Sequence, residues 1–120
     1  MTNRLRIVIA DDEADIRHGF RRLLCKLNCD VVGEAADGLE LVVVCLSSQP
    51  DLVITDVQMP KLSGLEAAKR IAQSQMIPVI VVSAHERPNE QELGFVTDFL
   101  LKPISGPELQ AAISRACPGR

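Results

Sequence analysis

Asp11, Asp12, Asp56, Ser83 and Lys102 are side chains whose types and order suit chemistry on a phosphoryl group. Three carboxylates drawn into one small cleft repel each other unless a cation lies among them. A hard divalent ion with oxygen ligands and retained waters resolves that repulsion, and Mg²⁺ is the natural candidate. Lys102 would add a fixed positive charge and Ser83 a hydroxyl donor, completing a cup in which the oxygens of a phosphoryl group are neutralised. An aspartate carboxylate becomes a competent nucleophile in such surroundings. Taken singly, these residues have plainer readings, because Asp is a common helix cap. Asp56 is harder to dismiss: it precedes Val57-Gln58-Met59-Pro60, where proline forces a loop.

The elements that must position these groups are legible around them. Leu5-Arg6-Ile7-Val8-Ile9-Ala10, Leu52-Val53-Ile54-Thr55, Val79-Ile80-Val81-Val82 and Phe99-Leu100-Leu101 each end where a chemical residue begins. Apolar runs rich in β-branched residues read as strands buried on both faces. If they lie parallel, the polar groups emerge at one edge, where open α/β sheets place their ligands. Val31-Val32-Gly33-Glu34-Ala35 reads as a further strand.

Between the strands the period becomes helical. Ile16, Phe20, Leu23, Leu24 and Leu27 form one apolar face, backed by Arg17, Arg21, Arg22 and Lys26 on a wet side that also carries His18. Leu39, Val42, Val43 and Leu46 predict a second helix. Ser63-Gly64-Leu65-Glu66 and Ser105-Gly106-Pro107-Glu108 match a capping box, so helices begin there. Their buried stripes are predicted as Leu65, Ala68 and Ala72, and as Leu109, Ala112, Ile113 and Ala116. The segment from Ala84 to Phe95 holds few large apolar residues and predicts only a short, loosely anchored helix. A β-α unit repeated five times, with short connections, points to a parallel sheet sandwiched by helices.

Composition narrows the function classes. The 120 residues suit one domain, 1–120. Sixteen acidic against thirteen basic side chains leave a formal charge of -3, and only Phe20, Phe95 and Phe99 are aromatic. Neither a general attraction to nucleic acid or an anionic membrane nor a base-stacking platform follows. Cys25, Cys29, Cys45 and Cys117 lack paired zinc spacing and read as core or incidental thiols. No apolar stretch is long enough for a signal segment or a bilayer span, so a cytoplasmic protein with reduced thiols is expected.

Ile9-Ala10-Asp11-Asp12-Glu13, the run Asp51 to Pro60, Gly64-Leu65-Glu66-Ala67, Val82-Ser83-Ala84-His85 and Phe99-Leu100-Leu101-Lys102-Pro103 together resemble the receiver domain of bacterial two-component response regulators. The resemblance covers essentially the whole chain. It implies a flavodoxin-like (βα)5 three-layer sandwich with strand order 2-1-3-4-5. It also implies that Asp56 accepts a phosphoryl group from a histidine kinase or histidine phosphotransfer protein. Asp12, Asp56 and the backbone carbonyl of Gln58 would bind Mg²⁺, with Asp11 acting through a metal-bound water. Ser83 and Lys102 would contact the phosphoryl oxygens, Phe99 would turn inward as Ser83 moves, and Lys102-Pro103 would be a cis peptide. In receivers, the surface of helix 1 also docks the phosphodonor.

Two features depart from the family pattern. Phe95-Val96 replaces a small Gly-Ala pair. Ser83 and Lys102 stand 19 positions apart, about three fewer than usual, which removes nearly one turn from the fourth helix. Two other readings stay open: a Mg²⁺-dependent aspartyl-phosphate phosphatase or phosphotransferase, which would usually carry an acid where this chain has Gln58, and a pseudo-receiver acting purely as an interaction module. His85 reads as a solvated loop residue that, beside Gln58, could instead tune water attack on an acyl phosphate. The output partner or domain is not legible.

Overall fold

The computed structural model describes residues 4–84 and 92–118. His85 and most of the weakly anchored segment after Ala84 lie outside the described residues. The strands are β1 (Arg6–Ala10), β2 (Asp30–Ala35), β3 (Leu52–Asp56), β4 (Val79–Ser83) and β5 (Asp98–Leu101), and the helices are α1 (Ala14–Lys26), α2 (Gly38–Ser48), α3 (Gly64–Ala72) and α4 (Gly106–Ala116). The strands pair in parallel in the order β2-β1-β3-β4-β5. This is the flavodoxin-like arrangement the sequence implies. A 3-10 turn over Glu92–Phe95 is what the described residues hold between β4 and β5.

Alternation along β1 explains the layering. Ile7 and Ile9 enter one apolar cluster with Leu24 of α1 and Leu109 and Ala112 of α4. Val8 and Ala10 enter another with Leu41 and Cys45 of α2 and Ala67, Ala68 and Ile71 of α3. Successive side chains of a strand point to opposite faces, so a strand covered on both sides must be apolar throughout.

Helix starts follow the capping chemistry. Ser105 makes the full box, its hydroxyl accepting from Glu108 N at 3.2 Å while Glu108 accepts from Ser105 N. Ser63 makes the hydroxyl half, accepting from Glu66 N at 3.1 Å. Glu13 caps α1 without a side-chain bond.

Two apolar assignments are corrected. In α2 the inward residues are Leu41 and Cys45, with the predicted Val42 partly buried beside them, whereas Leu39, Val43 and Leu46 are 43%, 63% and 52% exposed. In α3 the predicted Leu65 and Ala68 pack inward together with Ala67 and Ile71, while Ala72 faces solvent. The bulky pair at the end of the 3-10 turn divides its burial: Phe95 is exposed, while Val96 packs against the α2/α3 cluster.

Candidate functional site

Strand register brings the chemical residues to one edge. Ala10 pairs with Thr55 and Asp56 with Val82, so Asp11, Asp56 and Ser83 leave three neighbouring strands at nearly the same level. Ser83 pairs with Leu101, and Lys102 N donates to Ser83 O at 2.8 Å, which brings the lysine in from β5. The five predicted residues are thus drawn to the carboxyl ends of the strands, where open α/β sheets bind ligands.

Asp11 is the buried member, 2% exposed. Its Oδ2 accepts from Lys102 Nζ at 2.9 Å and its Oδ1 from Glu13 N at 2.9 Å. Lys102 Nζ also stands 3.8 Å from Asp56 Oδ2, and Asp56 Oδ1 accepts from Val57 N at 2.8 Å. Burial raises the Asp56 pKa, with Asp11 and Asp12 adding to the rise and Lys102 and the Val57 N–H opposing it. Burial alone would lower the Lys102 pKa, but the hydrogen bond and charge of Asp11, with the charges of Asp56 and Glu13, outweigh it and raise the value.

Asp12 and Asp56 open onto a cleft of about 380 Å³ shared with Glu13, Gln58, Met59, Pro60, Ala84 and Lys102. Carboxylate oxygens of Asp11, Asp12 and Asp56 lie within 4.8 Å of one another. An all-oxygen donor set of this kind fits a hard divalent cation. Ser83 is 3% exposed, at the end of β4. Phe99 pairs with Val81 and packs half-buried against the α2/α3 cluster. The Lys102-Pro103 peptide is cis.

The loop after Asp56 is held by close backbone contact. Gly64 N donates to Val57 O at 2.8 Å, and a Cβ at Gly64 would lie 1.9 Å from Asp56 O. The first residue of α3 must therefore be glycine for the helix to seat against the main chain of Asp56. Thr55 Oγ1 donates to Asp56 O at 2.9 Å, fixing the same carbonyl from the strand side.

Arg17 does not belong to the wet face where the sequence places it. Its Nη1 donates to the main-chain O of Asp11 at 2.6 Å, and its Nε to Glu34 Oε1 at 3.3 Å. Glu34 also accepts from Arg21. The sequence signal for this group is an arginine five positions after Asp12, with an acid at the end of the second strand.

Beyond the cleft, Ile16, Gly19, Phe20 and Leu23 of α1 and Lys102, Pro103 and Ile104 line a second, more apolar groove of about 500 Å³, with Asp15 at its rim.

The family is established by sequence comparison. Residues 7–114 match the response regulator receiver domain, and the chain belongs to that family. The chain is 37% identical over 115 residues to the transcriptional regulatory protein PdtaR of Mycobacterium tuberculosis, covering 92% of this chain and 56% of that protein. It is 36% identical over 121 residues to a protein-glutamate methylesterase/protein-glutamine glutaminase of Haloarcula marismortui, covering 96% of this chain and 32% of that one. It thus spans between about a third and somewhat over half of these relatives. Among solved structures, the receiver domain of a NarL response regulator from Mycobacterium tuberculosis superposes with a TM-score of 0.91 at 30% identity, covering 99% of this chain and 100% of that one. The response regulator domain of Thermotoga maritima CheB gives 0.85 at 32%, covering 95% and 96%. Among the described residues, no helix is long and apolar enough to cross a membrane.

Proposed function

We propose that this receiver domain is a phosphoacceptor switch in which Asp56 takes a phosphoryl group from a histidine kinase or histidine phosphotransfer protein. The observation that carries the reading is the placement of Asp56 in the 380 Å³ cleft beside Asp12, with Lys102 Nζ 3.8 Å away. An Asp56 carboxylate oxygen attacks phosphorus, and the bond from phosphorus to the donor's histidine nitrogen breaks. Asp12, Asp56 and the Gln58 carbonyl would hold Mg²⁺, with Asp11 acting through water; the ion supplies charge neutralisation for the transferring group. The Lys102 ammonium orients one phosphoryl oxygen, and the Ser83 hydroxyl donates to another. Movement of Ser83 makes room for Phe99 to turn inward, which transmits the modification to the surface.

The groove between α1 and the Pro103-Ile104 loop shares Lys102 with the acidic cleft, so a helix carrying the donor histidine can dock there with its imidazole over Asp56. Gln58 lines the cleft at the position where an aspartyl-phosphate phosphatase would need an acid, which favours the switch reading. The formal charge of -3 gives no general attraction to nucleic acid, so the modification is read out by a partner surface.

The test is intact-mass analysis after incubation with acetyl phosphate and Mg²⁺. One phosphoryl group should be added, and Asp56→Asn should abolish it. Full labelling of that variant would overturn the assignment.

A further inference from the structure

Outside the acidic cleft, Arg17 bridges α1 to the main chain just after β1 and to β2. We infer that Arg17, anchored by Glu34, is a positioning residue that fixes the Asp11–Asp12 peptide and thereby aims the Asp12 carboxylate at the cation site. The inference rests on the Mg²⁺ reading of the cleft.

The geometry has three parts. First, Glu13 caps α1 without a side-chain hydrogen bond, so the chain between β1 and α1 lacks the usual clamp at a helix entry. Second, Asp11 is held otherwise: its N–H donates to Ala35 O at 3.1 Å, and its carboxylate accepts from Lys102 and Glu13. Its main-chain carbonyl accepts from Arg17 Nη1 at 2.6 Å. Third, the arginine is itself held, by Glu34 on the edge strand, and Glu34 is shared with Arg21.

That carbonyl belongs to the same rigid plane as the Asp12 N–H. Fixing the oxygen therefore fixes the direction in which Asp12 leaves the strand. Asp12 is exposed and one residue past the buried anchor, so the tilt of this peptide sets the starting direction from which its carboxylate reaches the cleft. A planar guanidinium can hold a carbonyl and a carboxylate at once through different nitrogens, which a lysine ammonium on a flexible stem does poorly.

Charge and position predict opposite signs for one substitution. Arg17→Gln removes a positive charge near a cation site, so a purely electrostatic role would tighten Mg²⁺ binding. A positioning role loosens it. Groups that orient metal ligands typically change affinity by about 10–100-fold when lost; acting here through the backbone, the expected weakening is about three- to tenfold. Arg17→Lys keeps the charge and loses the fork, and should weaken binding as well.

Mg²⁺ affinity is to be measured by calorimetry on the wild-type chain, Arg17→Gln and Arg17→Lys, below their melting temperatures. The order parameter of the Asp12 amide is to be measured in EDTA. Weaker binding by both variants, with a more mobile Asp12 amide before any metal is added, supports positioning. Unchanged or tighter binding by folded Arg17→Gln overturns it, as does an Asp12 amide equally rigid in variant and wild type. If the wild-type chain binds no Mg²⁺, the cation-site reading fails, whereas the EDTA measurement still decides whether Arg17 holds the peptide. Should Arg17→Gln not fold, Arg17→Lys decides both points.

Discussion

Lys102 Nζ is 2.9 Å from Asp11 Oδ2, closer than its 3.8 Å approach to Asp56, so the lysine is first the counterion of a buried carboxylate. Removing one partner of a buried pair leaves the other charge uncompensated. Lys102→Ala should therefore cost about 3 kcal/mol in metal-free protein, an effect added to any loss of signalling. Urea unfolding in EDTA measures it, and Mg²⁺ should restore part of the loss by binding the folded state. An unchanged midpoint in EDTA would show that Asp11 is neutralised by other means. The Lys102 pKa is raised from 10.5, so the lysine's contribution to this pair is intact at neutral pH and is lost as pH rises through the raised value.

Asp56 is the carboxylate whose ionisation is disfavoured, by burial first and then by its acidic neighbours. Asp56→Asn should make the metal-free domain more stable at neutral pH while abolishing stabilisation by Mg²⁺. For wild type, a cation at 100 times its dissociation constant should add about 2.7 kcal/mol. Thermal melts of both proteins with and without Mg²⁺ check this, and a less stable metal-free variant would contradict it.

Asp12 and Asp11 should differ as metal ligands. Asp11 already serves Lys102 and the Glu13 N–H from a buried position, whereas Asp12 opens onto the cleft. Asp12→Asn should cost the larger part of Mg²⁺ affinity, and Asp11→Asn more of the fold stability. Equal affinity losses in calorimetric titrations would place both residues in the inner set.

Glu34 offers a pH test away from the cation site. Its hydrogen bond with Arg21 lowers its pKa from 4.5, with Arg17 contributing and burial opposing. A depressed acid adds stability above the unfolded value and loses it as pH falls through the folded one. Glu34→Gln should thus be less stable than wild type at pH 7 by about 0.5–1 kcal/mol, since part of the network is exposed. That gap should close well below pH 4.5, and a gap independent of pH would mean the pair contributes through packing alone.

Gly64→Ala should be severe. Its new Cβ would meet the Asp56 carbonyl at 1.9 Å, a backbone atom that cannot swing away. A loss of about 3 kcal/mol or more is expected, with the Asp56 and Val57 amide signals displaced. A variant with wild-type stability and spectrum would refute the close seating of α3.

The sheet was legible because the central strands β1, β3 and β4 are apolar on both faces for nearly their whole length, and the site because five polar residues follow four apolar runs. Helix faces were read less well where polarity gave no contrast. In α2 the run Leu41-Val42-Val43-Val44-Cys45 is apolar all round, so periodicity could not separate the buried Leu41 and Cys45 from the exposed Val43. Arg17 was assigned to solvent because helical spacing sees only its own helix. Its partners, the Asp11 carbonyl just after β1 and Glu34 of β2, come from other elements. Position 95 was marked as unusual, yet only tertiary packing shows that Val96, not Phe95, takes the buried place.

The two apolar clusters on opposite faces of the sheet have a mechanical consequence. Phe99 packs with the α2/α3 cluster, while α1 and α4 share the other. The backbone of β1, β3 and β4 stands between them as a partition, so repacking around Phe99 is insulated from the α1 groove by a layer of hydrogen-bonded main chain. Substitutions on opposite faces are separated and share few partners, so their energies should add. Packing on the α1/α4 face and packing on the α2/α3 face can in this way vary as two nearly separate dials.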